Sequence, residues 1–221
     1  LNGTPVEVAP VGRVLDELGV DAAVDASTSL PLGAGFGVSG AFALGTAFAA
    51  NAAVGQTHTE NELVGIAHRA EVVSGTGLGD VVAQARGGVP IRLEPGAPSH
   101  GELDGIPARS RVEYVTFGDL STETVLSGDT TRLSRAGERA LSGLLEEPTL
   151  PRLMTESRRF AAEAGLRTDR VAETVAAVSE AGGEASMAML GETAFALGTG
   201  LTDAGFDPEV CRTHPAGATL R

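Results

Sequence analysis

Pro31-Leu-Gly-Ala-Gly-Phe-Gly-Val-Ser-Gly-Ala41 sets four glycines, Gly33, Gly35, Gly37 and Gly40, between two apolar segments. On the N-terminal side, Asp21-Ala-Ala-Val-Asp-Ala-Ser-Thr-Ser-Leu30 alternates well enough to predict a strand running into a loop. On the C-terminal side, Ala41-Phe-Ala-Leu-Gly-Thr-Ala-Phe-Ala-Ala-Asn51 is apolar around most of its circumference and predicts a buried helix. A loop of this kind leading into a helix start suits anions. Glycines let backbone amides approach closely, and the first turn of a helix offers unpaired N–H groups and a partial positive charge.

Three readings of the residues stay open. Gly35-Phe-Gly-Val-Ser-Gly40 fits the Gly-x-Gly-x-x-Gly dinucleotide pattern, but the acidic residues about twenty positions on, Glu60 and Glu62, sit at a helix start and not at a strand end. Gly37-Val-Ser-Gly-Ala41 falls one glycine short of a nucleophile elbow, and the histidines it would need, His100 and His214, lie in proline-rich surroundings. The plain alternative is a turn used only for tight packing.

Composition removes other classes. All sixteen basic residues are arginine, so the Gly-Lys-Ser/Thr triphosphate loop, Schiff-base chemistry and a lysine-dependent protein kinase are excluded. A formal net charge of −13 disfavours nucleic acid and anionic lipid as partners. Together with the absence of lysine, it suggests a source adapted to molar salt or, alternatively, a high-GC genome; the excess of carboxylates favours the first. A single cysteine, Cys211, excludes an intrachain disulfide framework. No run predicts a membrane span or a cleavable signal, so the expected compartment is the cytoplasm. Leu1 in place of methionine gives the expectation that the chain begins inside a longer reading frame.

Along the chain, Val11 to Leu18 predicts a short helix stopped at Gly19. Thr59-Glu-Asn-Glu62 opens another with a capping-box pattern, running to about Glu71. Ser74-Gly-Thr-Gly-Leu-Gly-Asp80 breaks it, Val81 to Ala85 resumes helix, and Gly87 to Leu93 predicts a strand. The proline-bearing stretch from Pro95 to Pro107 is the expected domain boundary. Beyond it Arg111 to Phe117 alternates as a strand, and Thr130 to Leu145, Leu150 to Ala164 and Asp169 to Glu180 read as helices. The last of these carries a Val171, Val175, Val178 stripe. Two strands joined at Gly191-Glu192 complete the pattern. Mixed in this order, the elements predict two α+β domains and not a doubly wound sheet.

Pro31 through Ala41 also resembles the Pro-x-x-x-Gly-Leu-Gly-Ser-Ser-Ala loop of the GHMP small-molecule kinases, with Phe36 for the usual leucine and Val38 for the first serine. Helix 59–71 with its terminal glutamate, then Gly-Thr-Gly-Leu-Gly-Asp80, then Gly87-Gly88 before a strand, is similar to the family's order of metal-binding glutamate, glycine loop, aspartate and Gly-Gly. Gly-Gly-Val-Pro-Ile-Arg-Leu93 and Ala-Ser-Met-Ala-Met-Leu-Gly191 extend the resemblance, within that family, to archaeal-type pantoate kinases. The implied architecture is a two-domain GHMP-kinase fold. A ribosomal protein S5 domain 2-like N-terminal domain spans residues 1–100, incomplete at its start, and a ferredoxin-like C-terminal domain spans 108–221.

The implied activity is ATP- and Mg2+-dependent phosphorylation of the pantoate hydroxyl in coenzyme A biosynthesis. The resemblance assigns nucleotide binding to Pro31, Gly33, Gly35, Gly37, Ser39 and Gly40, and magnesium to Ser39 and Glu71. It assigns the reacting hydroxyl to Asp80 and pantoate binding to Arg92. The segment 183–191 is expected to form a wall of the site. Another small-molecule kinase of homoserine or mevalonate type, or a regulatory module that binds nucleotide without turnover, stays open beside it, as does a homodimer. His58 and His68 read as surface or packing histidines.

Overall fold

The computed structural model describes residues 1–55, 57–118 and 130–220, and they divide into two compact units. The first comprises residues 1–32, 37–105 and 215–221; the second comprises 33–36 and 106–214. Among the described residues no helix is long and apolar enough to cross a membrane.

The first unit is built on four helices: α1 (Ala9–Leu18), α2 (Val38–Ala53), α3 (Glu60–Ser74) and α4 (Asp80–Arg86). Each begins or ends for a local reason. Pro10 sits in the first turn of α1, where its missing N–H costs nothing, and Gly19 ends that helix in the left-handed region at φ 65°. The Thr59 hydroxyl accepts from Glu62 N–H while the Glu62 carboxylate accepts from Thr59 N–H, the expected capping box. Ala43, Leu44 and Ala47 of α2 pack against Val14 of α1, Leu63, Val64, Ile66, Ala67 and Ala70 of α3, and Val81 and Val82 of α4. A side chain as fully buried as Leu44 contributes about 2–3 kcal/mol. The alanines on α2 let its neighbours approach closely. They also leave an exposed face at Ala41, Gly45 and Ala49, so this helix is buried on one side and not all round. Strands β1 (Val89–Glu94) and β2 (Glu102–Ile106) form a two-stranded sheet.

The strand expected over residues 21–30 does not form. A strand needs a neighbour for its backbone groups, and among the described residues the hydrogen bonds that tie this stretch to the rest of the chain run to Asn2. The Asn2 N–H donates to the Ala26 carbonyl at 2.9 Å, and the Asn2 side chain brackets Thr28.

The second unit contains β3 (Arg111–Gly118), α5 (Thr131–Glu146), α6 (Leu150–Glu163), α7 (Asp169–Glu180), β4 (Ala185–Ala188), β5 (Glu192–Leu197), a short α8 (Gly200–Asp203) and β6 (Glu209–Arg212). Its sheet runs β4-β5-β3-β6, antiparallel throughout. With helices between β3 and β4 and between β5 and β6, this is the βαββαβ arrangement of a ferredoxin-like domain. The Val171, Val175, Val178 stripe of α7 packs on Ala185, Met187, Ala194 and Ala196, as its spacing predicts.

Glu113 on β3 is fully buried. It accepts from the Arg111 guanidinium at 2.8 Å and from the Thr202 N–H and hydroxyl at 3.0 and 2.8 Å. Burial pushes its pKa up, but these donors outweigh it and hold the carboxyl below its ordinary range. Strands β2 and β6 and helix α8 were not anticipated from the sequence.

Candidate functional site

Helix α3 delivers Glu71 to its C-terminal turn, where Gly75 at φ 69° reverses the chain. That reversal brings Thr76 back onto the helix, and its hydroxyl donates to Glu71 Oε1 at 2.9 Å. From α2, the Ser39 hydroxyl donates to Glu71 Oε2 at 3.2 Å. Glu71 is 1% exposed, and among the described residues no arginine pairs with it.

Asp80 opens α4 and lies against the start of α2. A Cβ on Gly37 would come within 2.9 Å of the Asp80 Cβ, and one on Gly40 within 3.2 Å. The two carboxylates converge on Gly77. A Cβ there would stand 2.5 Å from Glu71 Oε2 and 2.8 Å from Asp80 Oδ2. Arg92, on β1, donates to the Leu78 carbonyl at 2.5 Å and to the Gly96 carbonyl at 3.3 Å, so it ties the loop before α4 to the turn after β1.

The electrostatics follow from this packing. Burial raises the Glu71 pKa; hydrogen bonds from Thr76 and Ser39 oppose the shift, and the Asp80 charge adds to it. Burial also raises the Asp80 pKa, against the pull of the Arg92 charge. Burial lowers the Arg92 pKa, which Asp80 partly offsets. His68, one turn before Glu71 on α3, is held below its ordinary range by burial and then by the charges of Arg92 and Arg69.

Two carboxylates whose pKa burial raises, Glu71 held by the Thr76 and Ser39 hydroxyls and Asp80 beside the Arg92 charge, form a site that a hard divalent cation would relieve. No third His, Cys, Asp or Glu joins them in metal-binding reach among the described residues. A set this small suits magnesium, which keeps several waters and takes few protein ligands.

Helix α2 starts at Val38 with Gly37 as its N-cap at φ 63°, and no side chain among the described residues caps it. The first-turn amides of Val38, Ser39 and Gly40 are therefore left for an anion. Of the residues singled out in the sequence, Gly37, Ser39, Gly40, Glu71, Asp80 and Arg92 come together in the first unit. Pro31 lies exposed at the loop entrance. Gly33 and Gly35, at φ 76° and 88°, belong to the second unit. There a Cβ on Gly35 would overlap the Ala188 carbonyl and one on Gly191 would overlap Ala34, so this part of the loop and the β4–β5 turn touch backbone to backbone. The Phe36 ring meets Tyr114 edge-on at 4.7 Å between centroids.

Thr76, Gly77 and Gln84 were not singled out. Thr76 and Gly77 sit inside the glycine stretch before Asp80, and Gln84 lies four residues beyond it on the same helix face. That spacing is the one signal that could have flagged Gln84.

Residues 8–88 match the family model described as the GHMP kinases N terminal domain. The chain is 32% identical over 202 residues to the pantoate kinase of Methanospirillum hungatei, covering 89% of this chain and 68% of that protein. The chain belongs to the GHMP kinase family. Identity to the pantoate kinase of Thermococcus kodakarensis is 39% over 170 residues, or 76% of this chain and 56% of that protein. For the Methanocaldococcus jannaschii pantoate kinase the figures are 35% over 173 residues, 77% and 63%. The chain thus spans 56% and 63% of the length of these two GHMP kinases. Among solved structures, a phosphotransferase related to the CoA biosynthesis pathway superposes with a TM-score of 0.80 at 29% identity, over 98% of this chain and 78% of that one. A homoserine kinase from Cytophaga hutchinsonii superposes at 0.63 with 17% identity, over 95% and 76%, a likeness of fold alone.

Proposed function

We propose that this GHMP kinase transfers the γ-phosphoryl group of ATP to the hydroxyl of pantoate, a step of coenzyme A biosynthesis. The observation that carries the reading is the convergence of Glu71 and Asp80 on Gly77, beside the uncapped start of α2. The identity to three proteins named pantoate kinase supports the choice of acceptor. Residues 1–100 would form the nucleotide-binding domain and 108–221 the C-terminal domain.

Phosphoryl transfer asks for charge neutralisation, in-line aim and a proton acceptor. The amides at the start of α2 receive phosphate oxygens, a task the chain must meet without lysine. Ser39 and Glu71 would hold Mg2+, which when bound offsets charge on the phosphates. Asp80 orients the acceptor hydroxyl and takes its proton. Its carboxyl, raised by burial, is a better base than an exposed aspartate. Arg92 supplies the cation for the pantoate carboxylate. Its position is set by the Leu78 and Gly96 carbonyls, so the guanidinium is already oriented before substrate arrives.

The test is direct detection of 4-phosphopantoate from ATP, Mg2+ and pantoate, repeated with Asp80→Asn and Arg92→Ala. Loss of turnover in the first and a raised KM for pantoate in the second are expected. Undiminished activity in both variants would overturn the assignment.

A further inference from the structure

Gln84 has no role in the chemistry above, yet its side chain joins two parts of the site. It lies one turn beyond Asp80 on α4, so both side chains project from one face. Its Nε2 donates to the Gly37 carbonyl at 2.9 Å. Its Oε1 is sealed from solvent and has no hydrogen-bond partner among the described residues, 3.4 Å from where a Cβ on Gly40 would stand. A Cβ on Gly37 would come within 2.9 Å of the Gln84 amide nitrogen, so the fit depends on glycine at the helix cap. The Gln84 main chain is anchored as well. The Ala218 N–H donates to its carbonyl at 3.0 Å and satisfies an acceptor near the end of a seven-residue helix.

We infer that Gln84 is a positioning residue for the nucleotide phosphates: it aims the first amide of α2. The Gly37 carbonyl and the Val38 N–H belong to one planar peptide unit, so fixing the carbonyl fixes the direction of the N–H on its far side. Gly37 is the residue least able to hold that plane by itself, because glycine rotates freely and no side chain among the described residues caps this helix end. The helical bond from Ala41 N–H, at 3.0 Å, reaches the same carbonyl and leaves room for the second donor that Gln84 provides. Gln84 therefore couples the helix that carries Asp80 to the amides that receive phosphate. It acts on nucleotide affinity without touching the acceptor.

This inference rests on the nucleotide-phosphate reading of the loop, and the experiment separates the two. Titration calorimetry with MgATP on the unaltered protein comes first; absence of binding there would overturn the kinase reading itself. With binding established, Gln84→Leu, which keeps the bulk and removes the donor, is expected to weaken MgATP about fivefold while the KM for pantoate stays unchanged. Gln84→Glu sets an acceptor and a buried charge against a carbonyl and is expected to weaken MgATP further, by about tenfold or more. Should Gln84→Leu fail to fold, Gln84→Asn decides the matter, since its amide is a methylene too short to reach Gly37. A variant that folds, melts at a lower temperature and binds MgATP as the unaltered protein does would show a purely structural role and overturn the inference.

Discussion

Substituting Gly77 by alanine tests the site geometry with one carbon atom. The added Cβ would stand 2.5 Å from Glu71 Oε2 and 2.8 Å from Asp80 Oδ2, whereas ordinary contact begins at 3.4 Å. The two carboxylates must then retreat by about 0.9 and 0.6 Å, or the loop must move by a similar amount. Gly77 is not among the glycines with positive φ, so alanine brings no backbone strain and the effect is steric. Overpacking of this kind costs about 1–3 kcal/mol of stability. A displacement near 1 Å of groups that position reacting atoms costs about a hundredfold in rate. The expected result is a folded protein whose kcat falls about a hundredfold, measured by ADP release with saturating pantoate and MgATP, with melting followed in parallel. Unchanged turnover in a variant of lowered melting temperature would refute the placement of Glu71 and Asp80 at the reacting atoms.

Other outcomes follow from the same geometry. A native carboxyl with a raised pKa binds protons that the unfolded chain has released, so stability falls as pH rises from the ordinary aspartate value through the raised one. Asp80→Asn should therefore melt above the unaltered protein at neutral pH, lose that advantage near about pH 3, and turn over far more slowly; chemical denaturation across pH would show it. For the same reason kcat/KM should rise with pH along a limb above the usual carboxylate range, because Glu71 and Asp80 act ionised. Arg92→Lys keeps the charge but cannot span the Leu78 and Gly96 carbonyls, so the KM for pantoate should rise about tenfold or more with MgATP affinity preserved. Glu71→Gln should raise the magnesium concentration needed for half-maximal rate, read by titrating the metal at fixed ATP.

Much of this arrangement is legible in the chain because it is local. Thr59 and Glu62 are three residues apart and close their capping box within one turn. The valines of α7 report a helix face by spacing alone. Gly37 and Gly40 mark a helix start where a Cβ would meet Asp80. What escapes depends on partners that spacing in the sequence does not report. Residues 21–30 alternate like a strand, yet alternation cannot supply the neighbour that a strand needs. Strand β6 is short and exposed along its length, so it carries no apolar pattern and exists through pairing with β3. Thr76 and Gln84 look like ordinary polar residues in sequence. Their roles appear only when the turn at Gly75 and the packing of α4 bring them to Glu71 and Gly37.

The identity of the acceptor decides the function of this kinase. The most direct measurement offers pantoate, homoserine and mevalonate separately, with MgATP in molar potassium chloride, and identifies phosphorylated products by mass spectrometry. Selective formation of 4-phosphopantoate is expected. Phosphorylation of homoserine or mevalonate with pantoate untouched would contradict it.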